Sequence, residues 1–408
     1  MTAVMKGIRI LEVAEHTFVP AAAAILADWG ADVVKVEHVE RGDAMRGLAT
    51  TAGITVGGAG VNILLEHANR GKKSIALDLT NPEGLEILYR LAETCDVFLT
   101  NKLPAVRTRL RIDVDDIRAR NPRIVYVCGS GYGARGPDVD LGGYDSLAYW
   151  ARAGNAASVK PPEIDYIPNQ PAPALGDSIG AMFIAGGISA ALLHRERTGE
   201  ATEVDVSLLA TGMWSMAAAI GIGLQTGTVW GQLLHAHDGP RNPLVGNFRT
   251  ADGKWLSFSM LQGFTYWPGM CRVLGHPEWI ADPRFGTQQQ LFANGRDANA
   301  LVAEVIASAT MDEWKVRLRA QPGQWAPVQD TIEVAGDPMA IANGYVLEAT
   351  TREGVPFTLV TTPVQFGGQP SQPHRAPDFN EHGDEILRDQ LGLDDDAIVA
   401  LKIGGAVA

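Results

Sequence analysis

Gly176-Asp177-Ser178 stands at the head of a run of helix formers that reaches Thr198 and stops at Gly199. An aspartate in that place can simply serve as the helix N-cap. It can also do chemistry, because backbone N–H groups and the helix dipole meet the carboxylate there and can support a developing oxyanion. A second group, Gly131-Tyr132-Gly133-Ala134-Arg135-Gly136, fits G-x-G-x-x-G and follows a strand-like run. A dinucleotide fingerprint needs a helix directly after it. Pro137-Asp138 and Gly142-Gly143 follow instead, so the expectation is a glycine-rich loop that lets a ligand approach the backbone, not an NAD site.

Arg70-Gly71-Lys72-Lys73-Ser74 is a basic group on a chain whose net charge is −13. Glu66 sits where a P-loop has its first glycine, so this is not a Walker motif. Two readings stand: a basic turn facing water, or a cluster that holds a phosphate. Of the nine histidines only His235 and His237 are close neighbours, and none has metal-site spacing, so no metal is expected. No α/β-hydrolase triad is expected.

A fold must position these groups, and composition bounds it. The 408 residues exceed the ~250–300 at which a single core stops growing, so two domains are expected. A composition 46% hydrophobic and 20% charged suits a soluble globular protein. The acidic excess argues against nucleic acid or an anionic membrane as partner. Cys95, Cys128 and Cys271 are few, odd in number and far apart, which points to reduced thiols and a cytoplasmic protein. Met1 to Arg9 lacks the layout of a signal peptide. Leu208 to Leu224 is the most apolar long stretch; it is short for a bilayer and reads as a buried or dimer-interface helix.

Ile8–Val13 reads as a buried strand, Pro20–Trp29 as a helix ended by Gly30, and Ala31–Val36 as a second strand. The alternation continues with a strand at 74–79, a helix from Asn81 to Thr94, a strand at 96–99, a helix at 113–120 and a strand at 124–128. Strand 203–206 follows the helix at 177–198. Alternating elements predict an α/β, doubly wound parallel sheet. From Thr226 the character changes: residues 226–350 hold six of the nine tryptophans and a hairpin turn at Ala251–Lys254, then helices near 291–308 and 311–320. The expected division is a large domain at 1–225, a small α+β domain at 226–350, and a segment at 351–408 returning to the large domain. That last segment carries a strand from Phe357, an extended stretch at 367–377 and helices at 382–391 and 394–402.

Several short motifs, taken in order, resemble one family. They are Leu11 through Glu37 with Gly42-Asp43-x-x-Arg46, then Asn69 through Ser74 with Leu77-Asp78, then Asn121 through Tyr126, then Gly131-Tyr132-Gly133. Ala174-Leu175-Gly176-Asp177-Ser178 with Gly180 follows, and the series runs on through Arg197-Thr198-Gly199 and Val204-Asp205-Val206. Looser matches are Thr250 to Trp255, Asp282 to Phe285, Ala376-Pro377 and Glu381 to Leu387. Their order and spacing are similar to the class III CoA-transferases, the CaiB/BaiF group.

The resemblance implies a Rossmann-like large domain, a smaller domain, and two chains interlocked as a homodimer. It implies that Asp177 is the nucleophile and that Phe18, His38, Leu77, Thr80, Asn101, Arg109 and Tyr132 lie along the CoA site, with no metal and no tightly bound cofactor. Acyl-CoA and a carboxylic acid are the implied substrates. Arg109 suits a phosphate, and His38 stands where some relatives have Arg. One alternative is a 2-methylacyl-CoA racemase, whose Gly-His-Asp is here Gly143-Tyr144-Asp145. Tyrosine, with an ordinary pKa near ~10, is a poor base at neutral pH. A second alternative is a non-catalytic acyl-CoA-binding subunit. Asp238 to Pro243, where relatives carry a glycine-rich loop, has few glycines, and Trp325 belongs either to the acyl pocket or to the core.

Overall fold

The computed structural model describes residues 2–51, 53–57, 60–231, 242–372 and 374–408. His235, His237 and the Asp238–Arg241 part of the small-domain loop lie outside them.

Six short apolar runs form one parallel sheet: β1 (Arg9–Val13), β2 (Asp32–His38), β3 (Lys73–Leu77), β4 (Val97–Thr100), β5 (Val125–Ser130) and β6 (Glu203–Ser207). Their order across the sheet is β3-β2-β1-β4-β5-β6. Strands β1 and β4 are buried almost throughout because helices cover both faces, which is why they read as continuous apolar runs rather than alternating ones. The chain leaves β1 in one direction and returns beside it at β4 on the other side. A crevice opens at the carboxyl ends of strands where such an order reverses.

The helix Phe18–Asp28 covers one face together with Leu175–Thr198. Alanines 21 to 24 are buried, and their small size lets the helices lie close. At Gly180 a Cβ would sit 2.4 Å from Cε2 of Phe18, so only glycine fits. On the other face lie Pro82–Ala92, Val114–Arg120, Gly383–Asp389 and Asp395–Ile403. Asn81 caps the first of these by accepting from the Glu83 N–H at 2.9 Å. Val407 pairs with Leu77 as an antiparallel bridge, and the Ala76 N–H donates to Asn380 Oδ1 at 2.9 Å, so the C-terminal segment closes onto β3.

The chain divides into two compact units, one of Met1–Gly231 with Met339–Ala408, the other Gln232–Pro338. The sequence had drawn the smaller one from 226 to 350. Val346–Thr350 pairs with Pro356–Val360 as a hairpin inside the first unit, a pairing the short, polar first strand did not announce. In the second unit, strands Val245–Arg249 and Trp255–Ser259 form the expected hairpin, with Gly253 at φ 79, and Trp325–Pro327 adds a third strand. Trp325 packs partly buried against that unit's own core of Trp267, Phe285 and Trp314.

The apolar stretch from Leu208 is not one helix. It breaks at Met216 into Leu208–Ser215 and Ala217–Thr226, bent by 68°. Thr211 and Ser215 hydroxyls donate back to the carbonyls of Ser207 and Thr211 at 2.9 and 3.0 Å, a pattern that bends helices. Among the described residues the helix long and apolar enough to cross a membrane is instead Leu175–Thr198, and its apolar face packs into the large unit's core.

Candidate active site

The Asp177 helix starts two residues earlier than its sequence suggests. Ala174 takes the N-cap position in the left-handed region, φ 56, and Leu175 is the first helical residue. Asp177 is therefore the third helical residue and not the cap. Its carboxylate is half-buried at the wall of a cavity of about 640 Å³, and among the described residues no hydrogen bond reaches it. Burial, and then the charge of Asp145, push its pKa up to about 8.

The cavity lies at the carboxyl ends of β1, β4 and β5, the switch-point crevice of the sheet, and extends along β6. Phe18, Asn101 and Arg109 line it with Asp177. Asn101 is tied to the chain after β1, accepting from the Glu15 N–H at 3.2 Å and donating to the Glu15 carbonyl at 2.7 Å. His38, Leu77 and Thr80 are not in the cavity wall. His38 and Leu77 face each other in the β2–β3 register at the carboxyl edge of the far half of the sheet, and Leu77 is buried. The Thr80 hydroxyl donates to Asp78 at 2.7 Å. Tyr132 stacks under the Arg152 guanidinium, 4.7 Å from its ring centre.

Three cations that the sequence reading passed over join Arg109 in the wall: Arg41, Lys102 and Arg107. Lys102 pairs with Glu15 at 2.6 Å and Arg107 with Asp113 at 2.8 Å. Arg41 stands alone in the sequence, but Lys102 and Arg107 share one short basic segment with Arg109, a signal that could have found them. His16, also in the wall, has φ 68, a strained conformation for a histidine. Its ring meets Tyr144 edge-on at 5.4 Å, and Tyr144 lines the same cavity.

The basic segment at 70–74 corrects both readings of it. Lys72 is wholly buried and bonds Glu12 at 2.6 Å, the Pro20 carbonyl at 2.8 Å and Asn69 at 3.0 Å. Arg70 pairs with Asp28 at 2.8 Å, and only Lys73 reaches the surface, with Glu385. Arg70 and Lys72 neither face water nor leave donors for a phosphate, because the large unit folds its own carboxylates onto them. Burial pulls the Lys72 pKa down to about 7 against the opposing charge of Glu12.

The glycine-rich loop also departs from expectation in one respect. Gly131 and Gly133 do line the cavity, but the Gly133 N–H is spent on Ser130 Oγ at 3.0 Å. At Gly131 a Cβ would lie 2.8 Å from Cα of Gly143, so two backbones touch there. Gly176 to Gly180 has G-x-S-x-G spacing, yet no strand leads into it. Ser178 Oγ instead meets His67 Nε2 at 3.2 Å, outside the cavity wall. Burial, then the Arg70 charge, lower the His67 pKa to about 4, and no carboxylate pairs with it among the described residues, so no hydrolase triad is built. No group of three His, Cys, Asp or Glu side chains among the described residues is placed to hold a metal ion.

The model of CoA-transferase family III matches residues 5–383. The chain is 29% identical to (R)-2-hydroxy-4-methylpentanoate CoA-transferase of Clostridioides difficile over 98% of each chain. It is 28% identical to succinyl-CoA:glutarate CoA-transferase of Homo sapiens, over 99% of this chain and 90% of that one. A crystal structure of a CaiB/BaiF family protein from Brucella suis superposes with a TM-score of 0.78 at 25% identity, covering 96% of this chain and 100% of that one. With a family match that spans nearly the whole chain, the protein belongs to CoA-transferase family III and is a class III CoA-transferase.

Proposed function

We propose that this enzyme moves coenzyme A from an acyl-CoA donor to a carboxylic acid acceptor, with Asp177 as the nucleophile. The observation that carries the reading is the Asp177 carboxylate, without a hydrogen bond among the described residues, at the wall of a cavity of a size to take a pantetheine arm and acyl group. The Asp177 anion attacks the thioester carbonyl, and the carbon–sulfur bond breaks to leave a mixed anhydride and CoA thiolate. The thiolate then attacks the aspartyl carbonyl, releasing the donor acid and leaving an aspartyl-CoA thioester. The acceptor carboxylate attacks that thioester, giving a second anhydride and free thiolate. Return of the thiolate to the acceptor's acyl carbon yields the new acyl-CoA and restores Asp177. This chemistry calls for no metal and no redox cofactor.

Within this reading Phe18, Asn101 and Arg109 contact the CoA arm in the cavity, while His38, Leu77 and Thr80 mark the adenosine end along the sheet edge of a Rossmann-like domain, and Tyr132 flanks the thioester. Leu77 is buried as a whole residue, so it supports that edge from beneath and does not touch the ligand. Arg109 is exposed and has no acidic partner among the described residues, which frees it for a phosphate. Arg109→Ala is expected to raise KM for acyl-CoA about tenfold with kcat little changed, and steady-state kinetics over a CoA-ester series reads this directly.

The same reading takes the protein as a cytoplasmic homodimer whose chains interlock. Trp214 and Leu224 are 70% and 82% exposed on the two halves of the bent helix pair, an apolar face that a second copy would cover. Light scattering on the purified protein should give twice the 43.6 kDa chain mass, and a monomer at micromolar concentration rules the dimer out.

The deciding assay offers acyl-CoA donors with hydroxy-acid and dicarboxylic acid acceptors and follows products by mass spectrometry. Transfer, with a CoA adduct on the peptide holding Asp177, supports the mechanism. Exchange of an α-proton with solvent from a 2-methylacyl-CoA, without transfer, assigns the site to racemisation instead.

A further inference from the structure

The helix that carries Asp177 begins at Leu175, and its N-cap, Ala174, has no side-chain oxygen to hold the first turn. A first turn without such a cap tends to fray, yet the nucleophile sits in it. Packing supplies part of the restraint. Gly176 lies against Tyr149, where a Cβ would sit 2.4 Å from the ring Cγ, and Gly180 lies against Phe18. A hydrogen bond from a separate element adds to it: Ser178, the residue after Asp177, meets His67 through Oγ and Nε2 at 3.2 Å. Asp177 is in the cavity wall, whereas Ser178 and His67 are not. Successive residues of a helix point about 100° apart, so fixing Ser178 also fixes the direction in which Asp177 leaves the helix.

His67 is itself held at both ends of its short helix, Ile63–Asn69. Asn62 caps that helix by accepting from the Leu65 N–H at 3.1 Å, and it donates to the Met45 carbonyl at 2.8 Å. At the other end Arg70 donates to the His67 carbonyl and pairs at 2.8 Å with Asp28, the last residue of the Phe18 helix. We propose that His67 is a positioning residue for the nucleophile: by bonding Ser178 it ties the first turn of the Asp177 helix to Ile63–Asn69 and aims the Asp177 carboxylate into the cavity. The inference rests on the reading of Asp177 as nucleophile. Because His67 lies outside the cavity wall, it acts through Ser178 and not on the substrate. With its pKa pulled down to about 4 by burial and then by Arg70, the ring is neutral at physiological pH, and the tie is a bond between two neutral groups. Loss of the tie acts on the approach of the carboxylate to the thioester carbon, where about 1 Å of misplacement costs about a hundredfold in rate and a partly freed turn costs less.

The test measures single-turnover formation of the Asp177 adduct, and steady-state kinetics, in Ser178→Ala, His67→Phe, the double variant and His67→Gln. Ser178→Ala and His67→Phe should each slow adduct formation and kcat about tenfold, with KM for acyl-CoA within about twofold. The double variant should be no slower than either single one, because both substitutions remove the same bond. Glutamine can present an amide to the Ser178 hydroxyl, so His67→Gln should recover to within about threefold of the wild type. Unchanged adduct formation in Ser178→Ala, a loss of about a hundredfold in the double variant, a KM that rises as kcat falls, or a glutamine variant as slow as the phenylalanine one overturns the inference. Alanine is a strong helix former, so Ser178→Ala keeps the fold and decides the question alone if His67→Phe does not fold. The Asp177 adduct is read first, in the wild type alone. Its absence removes the nucleophile reading and this inference together, whereas its presence with unchanged formation in Ser178→Ala removes this inference only.

Discussion

Asp177→Ala is expected to lower kcat for CoA transfer by at least about a thousandfold, while acyl-CoA binding stays within a few-fold. The expectation follows from the carboxylate's isolation. It makes no hydrogen bond among the described residues, so its removal leaves no buried partner unsatisfied. The loss is therefore chemical and not structural. A single-turnover assay with intact-mass detection checks it: the wild type should show a CoA adduct and the variant none, with equal retention on a CoA-affinity column. A variant that still transfers at a tenth of the wild-type rate would falsify the covalent route.

The same group sets a pH dependence. Its folded pKa, pushed up to about 8, lies well above the ordinary carboxylate value of 3.8. The nucleophile is the anion, so kcat/KM should climb with pH and level off above about 8, with activity at pH 6 roughly a hundredfold below the plateau. Stability carries the opposite sign. A pKa raised on folding means that the native state holds the proton more tightly, so the contribution is complete below about pH 4 and is lost as pH rises through about 8. The melting temperature of the wild type should fall across that window relative to Asp177→Asn, which cannot titrate there.

The parallel sheet was legible because its strands are short β-branched runs separated by helices with local boundary signals, such as Asn81-Pro82 and Gly199. What stayed hidden was non-local. The Asp177 helix starts at Leu175, where Tyr149 packs against Gly176, so the aspartate that looked like the cap lies inside the first turn. The fate of the 70–74 cations depended on Glu12 and Asp28, which are distant in sequence and bury them by pairing. Arg41 meets Lys102 and Arg107 only when the ends of β2 and β4 converge, and Ile63–Asn69 and Pro104–Leu110 are too short to show a helical period. The break at Met216 likewise lies in a run that is apolar on every side, where periodicity gives no warning.

The buried charges beneath the cavity set the second large effect. Lys35 bonds Glu12 at 2.8 Å, Asp43 at 2.8 Å and the Ala14 carbonyl at 2.9 Å, and all three charged side chains are sealed from solvent. These partners hold the Lys35 pKa above its ordinary value although burial pulls it down. Lys35→Met strands Glu12 with Lys72 alone and leaves Asp43 with no cation, and removing one member of a buried pair costs about 3–5 kcal/mol. The Asp43 Oδ1 also accepts from the His16 N–H at 3.0 Å, which helps hold His16 in its left-handed conformation at the cavity wall. The variant is therefore expected to lose both stability, read as a lower urea midpoint, and catalytic efficiency, through release of the His16 turn and the start of the Phe18 helix. A double variant, Lys35→Met with Asp43→Asn, should recover part of the stability because the stranded charge is gone. Recovery of stability without recovery of kcat/KM would show that the ion pair serves the geometry of the cavity as well as the fold, whereas a Lys35→Met protein as stable as the wild type would show that water reaches the network after all.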